Sequence, residues 1–138
     1  MNCTNVKNAL IGVGIALVAA LLFPIILVML LVGPGGLRYV LSRALFVGLF
    51  YTSWLVVPLG AALGMLIPRI AAGKSRWAAA LHGAGYGAAG GLALIIGLTP
   101  VFRAPFTPDL IWVAVMAYCA VWVGAYACIR ATSPVLHR

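Results

Sequence analysis

Few residues of this chain could do chemistry, and their spacing keeps them apart. Asp109 is the single acid, His82 and His137 are the two histidines, and Cys3, Cys119 and Cys128 are the three thiols. A hydrolytic site needs a base, an orienting carboxylate and a nucleophile within hydrogen-bond reach. His82 and Asp109 are expected near opposite membrane faces, about 25 Å apart by helical rise. A haem needs a second strong axial ligand beside His82, and His137 is a tail residue. No carboxylate or thiolate cluster stands at metal-ligand spacing. Cys119 and Cys128 are about 13 Å apart along one helix and cannot bridge. Gly73-Lys74-Ser75 imitates the end of a phosphate-binding loop, but Pro68 stands where that loop needs its first glycine, and an apolar run stands where it needs a strand. Tyr51-Thr52-Ser53 offers hydroxyls without a base. Thr107-Pro108-Asp109 reads as a helix start, with a hydroxyl cap, a proline at the first helical position and an acid at the positive end of the dipole. The chain is therefore expected to be no enzyme and to carry neither metal nor cofactor.

What must position these residues is a membrane. Four apolar runs, residues 9–32, 44–67, 77–99 and 110–129, contain no Asp, Glu, Lys or Arg. Each is long enough to cross a hydrocarbon core of about 30 Å at about 1.5 Å per residue. Hydrophobic residues make up 65% of the chain and charged ones 7%, which excludes a water-soluble core. The expected fold is an all-α integral membrane protein: one domain over residues 1–138, with four transmembrane helices in a compact up-down bundle. Residues 1–8, with one lysine before a long apolar run, read as the lead into an uncleaved first span. Pro24 and Pro58 should bend the first and second spans.

A net charge of +8 invites a nucleic-acid reading, but the basic residues are spread over every loop and both tails and form no stripe. They serve better as a topology signal. Lys7, Arg69, Lys74, Arg76, Arg130 and Arg138 fall on one face and Arg38, Arg43 and Arg103 on the other. Six against three puts both termini in the cytoplasm.

The third span is the most informative. Gly83, Gly87 and Gly91 recur every fourth residue, and Ala80, Gly90 and Gly97 fall in the same stripe. In lipid, helices associate by close backbone approach, and such a glycine zipper permits it. Ser53, Gly60 and Gly64 in the second span, and Ala117, Ala120, Gly124 and Cys128 in the fourth, form grooves that could receive the stripe. Leu81, Leu92 and Ile96 lie opposite it and should face lipid. His82 shares a side with Tyr86 beside the stripe, and the two are expected to be buried polar residues, the histidine bonded to the tyrosine or to a carbonyl. In the third loop Phe102 and Phe106 flank Arg103, residue types enriched at binding hot spots, so this loop is an expected recognition site on the outer face.

Coupled transporters keep ionisable groups inside the membrane, and here His82 stands alone. The inventory favours a protein that works by contact with another membrane-inserted protein. The specific expectation is a bacterial inner-membrane immunity protein that neutralises a pore-forming toxin. An accessory subunit of a membrane complex is the first alternative, and a homo-oligomeric passive channel or holin-like pore is the second. Apart from the lipid bilayer and that protein partner, which includes a second copy of the chain, no partner is expected. The topology makes the first prediction: single cysteines introduced at Ser75 and Thr107 should react with an impermeant reagent only at Thr107 in intact cells. Labelling of Ser75 from outside would reverse the orientation.

Overall fold

The computed structural model describes residues 3–36, 38, 45–100 and 109–132. It is all-helical over those residues: α1 Cys3–Leu31, a 3-10 turn Pro34–Gly36, α2 Leu45–Ala71, α3 Arg76–Leu98 and α4 Asp109–Thr132. All four α-helices contain stretches long and apolar enough to cross a membrane, which makes this an integral membrane protein. A span of Leu, Ile and Val is helical here although β-branched residues are mediocre helix formers in water, because in lipid every backbone N–H and C=O must be satisfied within the segment.

The helix ends show what the apolar runs alone do not. α1 starts at Cys3, so its first turns lie outside the expected span. Gly33, at φ 77°, takes the left-handed conformation that ends it. α2 runs on through Pro68 to Ala71 instead of stopping at the proline. The turn to α3 then needs only residues 72–75: the Lys74 N–H donates to the Ala71 carbonyl at 3.2 Å, Gly73 sits at φ 73°, and Ser75 caps α3 by accepting from the Ala78 N–H at 3.3 Å. Gly73-Lys74-Ser75 is thus a helix stop and a helix start. α4 begins at Asp109; Thr107 and Pro108 lie outside the described residues.

The helices pair as two tight hairpins, α1 with α2 and α3 with α4, and α2 makes thinner contacts to α3 and α4. Glycine makes each hairpin tight. A Cβ on Gly12 of α1 would run into the Gly60 carbonyl and come within 2.5 Å of the Gly64 Cα. A Cβ on Gly60 would lie 2.7 Å from that of Ala16, and one on Gly64 would strike the Asn8 carbonyl. In the second hairpin a Cβ on Gly83 would lie 2.6 Å from that of Ala127, one on Gly87 would strike the Cys119 carbonyl, and one on Gly91 would lie 3.0 Å from the Met116 Cα. Gly124 answers from α4, with the Ala80 carbonyl 3.1 Å from its would-be Cβ.

Two expectations need correction. Gly60 and Gly64 do not receive the α3 stripe; they pack on α1, whose Gly12 and Ala16 complete a small-residue seam. The α3 stripe also divides: Gly83, Gly87 and Gly91 face α4, while Gly90 and Gly97 turn to α2, where Leu59 and Leu55 are their nearest neighbours. Leu81, Leu92 and Ile96 are exposed on the far side. At the end that carries both termini, Ile67, Ala71, Ala79 and Ala127 form a buried core with Leu63, Ile70, Val123 and Tyr126 packed against it.

Gly85 has no atom within 4 Å of its would-be Cβ, so the two neighbouring glycines separate cleanly. Gly87→Leu should cost at least the roughly 1–3 kcal/mol of an overpacked core and lower the melting temperature in detergent. Gly85→Leu should stay within about 0.5 kcal/mol of the parent. Equal melting temperatures for the two variants would contradict the packing described.

Candidate functional site

Between the hairpins the packing changes character. Where α1 meets α2, and α3 meets α4, backbone touches backbone; across the seam α3 meets leucine side chains, tightly at Gly97, whose would-be Cβ lies 2.8 Å from Leu55, and with slack at Gly90, where Leu59 and Leu63 lie at 3.4 and 3.6 Å. The slack opens into a cleft of about 360 Å³. Its walls are Gly12, Ala16, Ala20 and Pro24 of α1, Thr52, Val56 and Gly60 of α2, Gly90 and Leu94 of α3, and Trp112, Tyr118 and Trp122 of α4. Among the described residues no charged side chain lines it. Small residues on three helices leave the space, and the aromatics of α4 form the fourth wall.

Tyr118 and Arg130 tie the hairpins together across the seam. The Tyr118 hydroxyl donates to the Ala19 carbonyl at 2.6 Å, next to Ala20, whose own helical donor is missing because residue 24 is proline. The same ring meets Phe23 at 5.0 Å between centroids and Trp122 at 6.1 Å. About 18 Å further along α4, Arg130 donates through Nη2 to Asn8 Oδ1 at 3.2 Å and through Nε to the Tyr126 hydroxyl at 3.0 Å, with its guanidinium 5.3 Å from the Tyr126 ring centre.

The outer surface of α3 holds the second feature. His82 and Tyr86 are exposed there, not buried as expected. The His82 ring is bonded through Nδ1 to the Ala78 carbonyl, 2.7 Å away in its own helix. Nδ1 must then carry the proton, which leaves Nε2 an acceptor pointing away from the helix. Among the described residues neither Nε2 nor the Tyr86 hydroxyl has a partner. Counted from Arg76, His82 lies about 9 Å and Tyr86 about 15 Å into the span. Gly85, Ala89 and Ala93 run beside them, all exposed. Here too a small residue recurs every fourth position, and none of the described residues covers it.

The other expected sites are accounted for as follows. Gly83, Gly87, Gly91, Gly60, Gly64, Ala120 and Gly124 all serve contacts inside the chain. Phe102, Arg103 and Phe106 lie outside the described residues. Cys119 and Cys128 are free, partly buried thiols, and Cys3 is free and exposed. Among the described residues no three His, Cys, Asp or Glu come together. The sequence reading missed Gly12 and Ala16, whose four-residue spacing was visible but embedded in a Leu- and Val-rich run, and it missed Tyr118. No family model, curated protein or solved structure matches the chain, so its function has to be read from these two surfaces.

Tyr118→Phe keeps the ring stack and removes only the hydroxyl. Hydrogen bonds between helices in lipid are worth about 0.6 kcal/mol on average and up to about 1.7; the variant should lose stability in that range, read by unfolding in mixed micelles. A neutral result would show that the cross-seam bond contributes nothing.

Proposed function

We propose that this is a non-enzymatic protein of a bacterial inner membrane that acts by helix-to-helix contact with another membrane-inserted protein, and that the contact confers immunity to a pore-forming toxin. In this reading the chain is a compact up-down bundle with both termini in the cytoplasm. Its binding face is the outer surface of α3, not the glycine stripe that α3 turns to α4. One observation carries the reading: His82 and Tyr86 hold unpartnered polar atoms at membrane depth on an outward face whose intervening Gly85, Ala89 and Ala93 admit a second backbone. A hydroxyl in hydrocarbon without a hydrogen bond costs several kcal/mol. Small residues beside hydrogen-bonding side chains are the two devices by which membrane helices associate. A toxin helix already inserted in the bilayer is met by a surface at its own depth.

The protection assay uses cells that express the chain and are challenged with the membrane-depolarising toxin of the same strain. Gly85→Leu and His82→Ala should each reduce survival at least tenfold while membrane levels and melting temperature stay at those of the parent. A photo-crosslinker at Ala89 should trap the toxin; trapping a resident membrane subunit instead would favour the accessory-subunit reading. Full protection by both variants would remove α3 as the face. Liposomes that leak when they contain this protein alone would replace the contact reading with a pore.

A further inference from the structure

We propose that Arg130, with the Asn8 and Tyr126 side chains that hold it, binds the phosphate of an anionic phospholipid headgroup at the end of the bundle where α1 begins and α4 ends. A surplus of donors points to such a ligand. Arg130 gives its Nε hydrogen to the Tyr126 hydroxyl and one Nη2 hydrogen to Asn8 Oδ1, which leaves Nη1 with both hydrogens and Nη2 with one. A guanidinium accepts nothing, so Asn8 must turn its oxygen to Arg130, and both hydrogens of its amide nitrogen stay unused. The Tyr126 hydroxyl accepts from Nε and keeps its own proton to give. Among the described residues none of these remaining hydrogens meets an acceptor. What the cluster lacks is one group with several negative oxygens.

The charge is as one-sided as the hydrogen bonding. Asp109 is the single acidic residue, and it opens α4 at the opposite end, about 31 Å from Arg130 by helical rise. No acidic side chain of the chain reaches Arg130. Each helix brings one cation to the same level: measured from the helix midpoints, Lys7, Arg69, Arg76 and Arg130 stand about 14–17 Å out. A hydrocarbon core of about 30 Å ends about 15 Å from its centre, so all four lie at the boundary where headgroups begin. They are not equivalent. Lys7, Arg69 and Arg76 are exposed, whereas Arg130 is partly buried and fixed by its two hydrogen bonds and by the Tyr126 ring, 5.3 Å from the guanidinium. Exposed cations draw an anionic surface in general, but a fixed planar fork offers paired N–H groups to one phosphate. The positive excess around it favours a lipid whose phosphate has no compensating amine.

Such a ligand would also act on the fold. Arg130 belongs to one hairpin and Asn8 to the other, so a headgroup seated on both braces the seam beside the core of Ile67, Ala71, Ala79 and Ala127. A ligand that binds the folded chain alone raises its stability. Neither His82 nor Tyr86 takes part, so the site stands apart from the α3 face.

The test follows the melting temperature of the protein in mixed micelles during titration with phosphatidylglycerol. The unaltered chain should show a saturable rise, and native mass spectrometry should find one phosphatidylglycerol retained after surface lipid has been stripped. Phosphatidylcholine should need about tenfold more lipid for the same rise, and inorganic phosphate should give none. Arg130→Gln should weaken the response on the order of a hundredfold, the worth of charge-assisted hydrogen bonds. Arg76→Gln removes the same charge from the same level and should cost no more than about fivefold, as an exposed charge does. Arg130→Lys keeps the charge without the fork and should fall between them; it carries the comparison if Arg130→Gln does not fold. Equal losses for the Arg76 and Arg130 variants would mean diffuse attraction and overturn the site. Phosphatidylcholine as effective as phosphatidylglycerol, inorganic phosphate as protective as the lipid, or an unaltered chain that retains no phospholipid would each overturn it as well.

Discussion

Contact of backbone with backbone inside each hairpin is the interaction on which the rest of the structure depends. In water, hiding leucine side chains would drive the helices together; in lipid both sides of that exchange are equally apolar, so it drives little. Dispersion at short range remains, and it grows steeply as two helices approach. Gly12 against Gly64, and Gly87 against Ala120, remove the side chains that would hold the axes apart. At such separations Cα–H groups can also reach carbonyl oxygens of the facing helix. The hairpins are therefore the rigid units, formed by neighbours in sequence with short or moderate connections between them.

Because each helix spends its glycines on one partner, less is left for the other. α2 presents Gly60 and Gly64 to α1 and Leu55, Leu59 and Leu63 to the second hairpin. The leucines hold the hairpins apart, and the seam closes fully only where Ala71, Ala79 and Ala127 let Ile67 be buried. Away from that core the seam is held at a point, by Tyr118 on Ala19, and Arg130 on Asn8 adds a second tie at the core end. Cleft and core are thus two ends of one interface, separated by the size of the residues that line it. α3 shows the same economy around its circumference: glycines toward α4, two more toward α2, and a third small face with His82 and Tyr86 that meets none of the other described helices.

How much of this was legible follows from what each signal encodes. Hydropathy reports the solvent of a segment, and the four spans were visible because nothing else could accommodate such runs. Their ends were less so: Pro68 marks a stop by local rule, yet α2 continues for three residues because Ala71 belongs to the buried core. A glycine stripe reports that a helix will be approached closely and leaves open by which neighbour, so Gly60 and Gly64 were assigned to the wrong partner. His82 and Tyr86 lie at the edge of the α3 stripe, and the side on which α4 crosses decides whether an edge residue is covered. Ser75 was read as part of a failed phosphate motif when its job is local, to cap α3. Tyr118 could not be paired with Ala19 from sequence, since the bond joins residues 99 positions apart.

The same walls bear on conduction. An ion crossing one chain would have to leave water for about 18 Å of apolar cleft in which Thr52, Thr99 and a few aromatic tips are the polar elements, and then pass the packed alanines around Ile67. Fixed dipoles that replace hydration are what a pore supplies, and this cleft has almost none. A pore assembled from several copies would have to be lined by an outer face. The α3 face has polar atoms at depth, but it offers one imidazole and one phenol per copy, separated along the axis by about 6 Å. Two such rings in an otherwise apolar tube hydrate it poorly, whereas one imidazole acceptor and one phenolic donor beside a small-residue track suit a single helix laid along them.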